Sequence, residues 1–229
     1  MALSGPGAMI LYYDIAPDAI EEHDDWHTHQ HFPERLSIPG FLRASRWIAT
    51  AGGPRYLVMY EVADVQVLSA APYLERLNNP TPWTAKMMEN FRGMARGFCR
   101  VVSSCGLGLG HALHSIRYAP IPGREDELRE WLKVTALPAL CAKPGVAGAW
   151  MLEPAAMPPM TNEQAIRGRD ADIPWVLLVT GYRAGALSRI AEDDLRTGQF
   201  ERHGASAAAA GGSYRLDYLL TAGECAPRA

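Results

Sequence analysis

Cysteine is sparse in this chain of 229 residues: Cys99, Cys105, Cys141 and Cys225 lie far apart, with no Cys-x-x-Cys pair. Such spacing reads as reduced thiols, neither a disulfide framework nor a zinc ribbon. No apolar run approaches the roughly 20 residues that span a bilayer. Residues 1–7 are Gly- and Pro-rich, a flexible leader without the basic start or apolar stretch of a signal peptide. Excess positive charge is also missing. The 22 Lys and Arg face 25 Asp and Glu, a formal net charge of −3, and no long basic run occurs. A nucleic-acid surface is therefore not expected. The remaining composition, 48% hydrophobic and 21% charged, suits one large core or two small domains. The expectation is a soluble, cytoplasmic protein with neither nucleic acid nor membrane as partner.

What the chain does have is one stretch used twice. Trp26, Pro33 and Pro39-Gly40 recur as Trp131, Pro138 and Pro144-Gly145, each 105 residues later. The copies differ in chemistry, because His23, His27 and His31 stand opposite Leu128, Leu132 and Ala136. Around these anchors the same order of elements repeats. Residues 9–15 read as a strand, and Pro17 opens a helix that carries the histidines and should stop or kink near Pro33. Strands over 41–48 and 56–62 form a hairpin across Gly52-Gly53-Pro54. Helical spacing follows over 65–77 and 83–91, then a strand over 97–102. The second half gives strands over 112–118, 146–152, 175–182 and 214–220, with helices over 123–141 and 186–200. Gly106-Leu107-Gly108-Leu109-Gly110 lacks the third-glycine spacing of a dinucleotide loop and precedes a strand, so it reads as a linker between halves. Residues 154–172 form a long Pro- and Met-rich loop, a lid or a mobile decoration. Residues 205–212 read as an Ala/Gly linker suited to extending the preceding helix, and the end of the chain as a disordered tail.

Each half is thus βαββαβ, the split βαβ of the ferredoxin-like class. The strands are apolar on both faces, and an apolar sheet face left in water costs about 25 cal/mol per Å². The other half is the economical cover. The fold class expected is α+β, with two tandem ferredoxin-like repeats, 8–105 and 106–222, forming a pseudo-twofold barrel with outer helices, and tails at 1–7 and 223–229. With this order, and with the helix signature ending in Pro33 and Ile38-Pro39-Gly40-Phe41, the chain resembles the dimeric α+β barrel superfamily in a tandem-repeat, single-chain form. The signature is similar to the EthD-type and stress-responsive branches. The resemblance implies a range of activities: cofactor-free monooxygenases, muconolactone isomerases, polyketide cyclases, haem-handling enzymes and members without known activity. Fold does not choose among them.

The histidines carry the choice. Residues four apart share a helix face, so His23, His27 and His31 form a stripe whose counterparts are apolar and should face the sheet. An unpaired polar group in apolar surroundings costs about 1–3 kcal/mol, so three imidazoles suggest a pocket that holds water; the rival reading is a rotated helix whose histidines have structural or surface roles, and His29, off the stripe, is expected in solvent. A pKa near 6.5 suits acid/base work. His27 and His31 are the catalytic candidates; His23, Tyr12, Trp47, Tyr60 and Trp83 are candidates for the ligand-binding wall, with packing as the rival role for the aromatics. Of Arg43 and Arg46, whose strand positions differ in parity, only one can face a given side. His-x-x-x-His is a usable metal pair, but the Glu that makes the zinc-protease motif specific is absent; no metal ligands are assigned. The leading expectation is a cofactor-independent enzyme of monooxygenase, isomerase or cyclase type, acting on a small apolar or aromatic metabolite, with any site confined to the first half. The alternatives are a non-catalytic small-ligand-binding or stress-related protein and, third, a metal or haem binder. A homodimer of the tandem chain is left open.

Overall fold

A computed structural model describes residues 3–206 and 210–225. Nine strands are placed in chain order: β1 (Gly7–Ile15), β2 (Phe41–Ala51), β3 (Tyr56–Val62), β4 (Phe91–Gly106), β5 (Ala112–Tyr118), β6 (Val146–Pro154), β7 (Ala171–Asp172), β8 (Trp175–Gly181) and β9 (Ala210–Thr221). Eight of them run in the order β1-β3-β2-β9-β5-β8-β6-β4, and β4 pairs back with β1 to close a barrel. All pairings in that ring are antiparallel; the short β7 lies parallel to β4. The fold is therefore an α+β barrel. Closure leaves none of the eight strands with an open edge along the ring.

Alternation along each strand divides the core in three. Side chains such as Tyr12, Trp47, Leu57, Met59, Trp150 and Leu178 point inward and fill the barrel from both halves. Met9, Tyr13, Tyr56, Val58 and Tyr60 point outward under the first half's helices. Tyr118, Ala149, Met151, Leu177 and Val179 do the same in the second half.

The helix carrying the histidines spans Ile20–Trp26, His27–His31 and Phe32–Leu36 without a break. Of the stop or kink expected near Pro33, the stop does not occur. The middle segment is a π-turn, in which the amide of Phe32 reaches the carbonyl of His27. The wider turn sets Pro33 near the start of a fresh segment, where its missing N–H leaves no helical bond broken. The second half does the same over Glu125–Trp131, Leu132–Ala136 and Leu137–Cys141, ahead of Pro138. The turn that leads from each helix into the next strand closes on a glycine of positive φ, Gly40 at 93° and Gly145 at 98°, a conformation that favours glycine.

Several expectations are corrected. Cys105 and Cys141 are joined in a disulfide, Cα atoms 6.2 Å apart. The end of β4 and the end of the second long helix meet in space although 36 residues separate them. The inference of a reducing compartment from cysteine spacing loses its basis, because stable disulfides mark oxidising surroundings. Of the supposed flexible leader, residues 3–7 are packed, with Leu3 buried and the amide of Ser4 donating to Glu61 at 2.5 Å, and residues 1–2 lie outside the described residues. The helix expected over 83–91 ends earlier (Pro82–Met88), and β4 takes over at Phe91. The helix expected over 186–200 is two, Ala184–Asp193 and Thr197–Arg202. Of the supposed Ala/Gly linker, 210–212 belong to β9 and 207–209 lie outside the described residues. Of the supposed disordered tail, Ala222–Cys225 form a short helix, and 226–229 lie outside the described residues. Among the described residues, no helix is long and apolar enough to cross a membrane.

Candidate functional site

The outward face of β1 and β3 and the inward face of the histidine helix border a cavity of ≈ 30 Å³, enough for about two waters. His27, His31, Arg35, Tyr60, Arg96 and Glu163 supply its polar wall; Tyr13, Trp26, Met88 and Phe91 are among its apolar lining.

Each histidine has a different situation. His23 is saturated. Its Nδ1 lies 3.0 Å from the Asp24 carboxylate and its Nε2 lies 3.1 Å from the Tyr13 hydroxyl. The carboxylate accepts only, so Nδ1 carries the proton and Nε2 accepts from Tyr13. Asp24 also accepts from Tyr56 at 2.8 Å and lies 3.7 Å from Arg46, whose Nε donates to Asp217 at 2.8 Å. This end of the helix is a closed structural network. Arg43, on the other strand face, pairs instead with Glu61.

His27 is half-satisfied. Its Nε2 is 3.2 Å from the Tyr60 hydroxyl, while its buried Nδ1 has no partner. The Nδ1 of His31 is likewise buried and unpaired. Burial, reinforced by the neighbouring histidines and by Arg46 and Arg35, holds His27 well below the usual imidazole range. Burial, with Arg35 next, does the same to His31. Burial pushes the Tyr60 hydroxyl well above its usual value. Both rings are thus neutral at pH 7. In the tautomer whose Nε2–H donates to Tyr60, the lone pair of His27 Nδ1 is free to take a proton; in the other, Tyr60 donates and Nδ1 carries the hydrogen.

One helical turn beyond His31, Arg35 is 1% exposed. Its Nη2 donates to Glu163, and its Nη1 has no hydrogen-bond partner, though Glu34 lies 3.7 Å away. Burial opposes the Arg35 charge, but Glu163, Tyr73, Glu34 and Tyr60 together more than offset it, and the guanidinium stays protonated. Glu163 comes from the second half. It sits on the helix Asn162–Arg167, inside the loop after β6, and that helix starts with a capping box of Thr161 and Gln164. The loop covers the cavity. Asn162 is bonded twice to Asn78, at 3.1 and 2.7 Å, and Arg167 holds Asp170 through two bonds of 2.9 and 2.7 Å. Arg96 of β4 lies 3.0 Å from Asp170 but is not aligned for a hydrogen bond, so its buried Nε and Nη2 remain open.

The sequence-predicted residues separate. His27, His31 and Tyr60 meet on the cavity wall. His23 is beside them but spent on Tyr13 and Asp24. Tyr12 and Trp47 are on the other side of the sheet, inside the barrel, where Tyr12 bonds Ser115 at 2.5 Å and Trp47 donates to Ser45 at 2.9 Å. Trp83 is half-buried, donates to Glu22 at 3.2 Å and does not line the cavity. His29 is exposed. Sequence reasoning missed Arg35, Arg96, Glu163 and Arg167. Arg35 continues the spacing of 23, 27 and 31, and its 105-residue counterpart is Leu140. The repeat comparison carried one step further would have found it.

Larger hollows occur elsewhere, among them one of ≈ 410 Å³ beside His114 and Ser213. There His114 Nδ1 is already bonded to Ser213 Oγ at 2.9 Å. At about two waters in size, the cavity under the histidine helix has room for neither a haem nor an aromatic ring until the covering loop moves, since pockets for drug-sized ligands run to about 300–1,000 Å³. Among the described residues, no group of three or more His, Cys, Asp or Glu side chains is arranged to hold a metal ion.

No protein-family model and no curated protein sequence matches this chain. Solved structures do. The chain is similar to an anthrone oxidase-like protein with TM-score 0.69 and 11% identity, over 100% of this chain and 99% of that one. It is similar to a candidate monooxygenase of Fusobacterium nucleatum subsp. nucleatum with TM-score 0.62 and 8% identity, over 96% of each chain. A candidate monooxygenase of Lactobacillus acidophilus NCFM matches with TM-score 0.58 and 10% identity, over 96% of this chain and 97% of that one. At such identities the likeness establishes the fold, an α+β barrel of the ferredoxin type, along the whole chain.

Proposed function

We propose that the cavity beneath the histidine helix is the substrate site of a cofactor-independent enzyme acting on a small, largely apolar or aromatic metabolite, with His27 as general base. The observation that carries this reading is the unpaired Nδ1 of His27 on a closed wall while Tyr60 fixes Nε2. His31 stands one turn away as a second acceptor. In the same reading the chain is a single-chain tandem form of the dimeric barrel, with repeats 8–105 and 106–222, a site in the first only, and kinship to EthD-type and stress-responsive members. The neighbouring structures of monooxygenase and anthrone oxidase-like description support a small-molecule role.

The common step is removal of a proton from a carbon acidified by an adjacent carbonyl or aromatic ring. His27 Nδ1 takes the proton, and the C–H electron pair delocalises into the substrate. In an isomerase or cyclase the carbanion is reprotonated or attacks within the substrate. In a monooxygenase dioxygen adds to the carbanion carbon. The peroxide then loses the remaining C–H hydrogen and its terminal oxygen as water, so that R₂CH₂ and O₂ become R₂CO and H₂O. The proton on His27 returns in that water.

A second reading rests on one observation. Burial lowers the basicity of His27 and raises the Tyr60 hydroxyl in the closed cavity, which favours binding without turnover unless the covering loop opens. Oxygen uptake and quinone absorbance with anthrone and hydroxylated anthrones decide between them. The enzyme reading expects turnover above the uncatalysed rate and a loss of at least about 100-fold in His27→Leu. Binding without any turnover leaves the second reading, and equal turnover in His27→Leu removes His27 from the chemistry.

A further inference from the structure

Resting on the reading above that this cavity is the substrate site, we infer that its substrates carry a carboxylate, held by the open N–H groups of Arg35 and Arg96. Both guanidiniums are buried, 1% and 2% exposed, and both line the cavity that contains His27 and Tyr60. Each has hydrogen-bonding nitrogens without a partner: Nη1 of Arg35, and Nε and Nη2 of Arg96. A buried charged donor left unmade is costly, and native proteins satisfy such groups or use them. Water in so small a cavity meets part of that demand. A carboxylate would meet it better, since guanidinium binds planar carboxylates through paired, charge-assisted hydrogen bonds.

The existing carboxylates do not saturate the site. Glu163 engages Arg35 through Nη2 alone, and Glu34 stands 3.7 Å away, unbonded to it. Asp170 is taken up by Arg167 and by Gln164 at 2.9 Å, leaving Arg96 beside it but misaligned. Glu163 and Asp170 both belong to the covering loop of the second half, whereas Arg35 and Arg96 belong to the helix and sheet of the first. Displacing the loop would therefore remove the carboxylates and leave the arginines in place.

A route is also present. Arg96 and Asp170 line a second hollow of ≈ 210 Å³ under the same loop, bounded by Met157, Pro158 and Met160. Arg96 is thus the partition between this hollow and the cavity. An aromatic acid entering there would meet Arg96 first. With the loop displaced to make room, its carboxylate would stay on the arginines, and its ring would lie among Met88, Phe91 and Tyr13 toward His27. The acid anchors the substrate, and the carbon to be deprotonated is at the other end. Carboxylates bound at the arginines should also be favoured over neutral analogues of equal size and shape.

The test uses the full-length chain with ¹³C-labelled histidine, titrated with 2-naphthoate and with its neutral isostere 2-naphthamide, the His27 ring signal being assigned from His27→Leu. The acid is expected to shift the His27 signal and to bind at least tenfold more tightly than the amide. Arg96→Gln, which leaves Asp170 held by Arg167, should reduce that preference below threefold. Arg35→Gln combined with Glu163→Gln, which removes the pair together, should do the same. Equal binding of acid and amide with an equal His27 shift overturns the carboxylate inference and leaves the cavity reading standing. A preference that survives both variants also overturns it. Binding that leaves the His27 signal unmoved, or no binding of either probe, overturns the inference and the cavity reading together.

Discussion

The two long helices of this protein have the same length, the same π-turn and the same proline, yet opposite contents. The second presents Leu128, Leu132, Ala136 and Leu140 along its stripe, and its three leucines are 0–3% exposed. Each fully buried leucine contributes about 1.5–3 kcal/mol. The first presents His23, His27, His31 and Arg35 at matching positions, 0–8% exposed. It forgoes that stabilisation and keeps buried polar atoms without partners. The second helix shows what the scaffold needs for stability, and the first shows a departure from it. The π-turn is common to both, so it belongs to the scaffold and to the proline that follows. The polar stripe is the part that asks for a functional explanation.

The largest expected effect comes from copying the second half at Arg35. Arg35→Leu strands Glu163 in a buried position and is expected to cost about 3–5 kcal/mol, read as a drop in the urea midpoint. Arg35→Leu with Glu163→Leu should recover most of it. If Arg35→Leu alone is neutral, the bridge between halves is not a structural requirement.

The converse exchange is next. Leu132→His places an imidazole in the dry second core with no partner and should cost about 1–3 kcal/mol without creating a binding site, as calorimetric unfolding and ligand titration would show. A variant as stable as the parent would mean the second half tolerates polar groups too, and the contrast between the helices would lose its meaning.

Acid dependence sharpens the contrast further. His23, His27 and His31 all have folded pKa values below the unfolded value of about 6.5, chiefly through burial. The unfolded chain therefore takes up protons below pH 6.5 that the folded chain refuses, and stability falls as pH falls from there toward the folded values. The slope is at most about 1.4 kcal/mol per pH unit for each histidine. His114, lowered to about 4 by burial, adds to it. Urea midpoints at pH 7.5, 6.5 and 5.5 should fall in that order, and His27→Leu should flatten the trend by one histidine's share. An unchanged slope would place His27 in contact with solvent.

Much of this was legible in the sequence, and the failures have physical causes. The 105-residue offset of Trp26 and Trp131 pointed to matched helices, and polar-for-apolar exchange along the stripe pointed to His27 and His31. Tyr12 and Tyr60 looked equivalent, but strand register decides which face a residue occupies. Met9 pairs with Tyr60 and Tyr12 with Leu57, so Tyr60 shares its face with Tyr13 and not with Tyr12. Glu163 and Arg167 were invisible because a loop's docking site is not encoded locally. The disulfide escaped because Cys105 and Cys141 are brought together by the pairing of β4 with β6 and the packing of the second long helix on those strands, which their spacing does not show.

The most direct test of the account is a paired measurement on His27→Leu: thermal unfolding and binding or turnover of the same ligand, beside the parent. The substitution restores the residue type of Leu132 and removes the unpaired Nδ1. The account predicts a melting temperature equal to or above the parent's, with turnover down at least about 100-fold or, for a pure binder, loss of the ligand-induced change at the cavity. A variant that unfolds, or one that folds and works as the parent does, would contradict it.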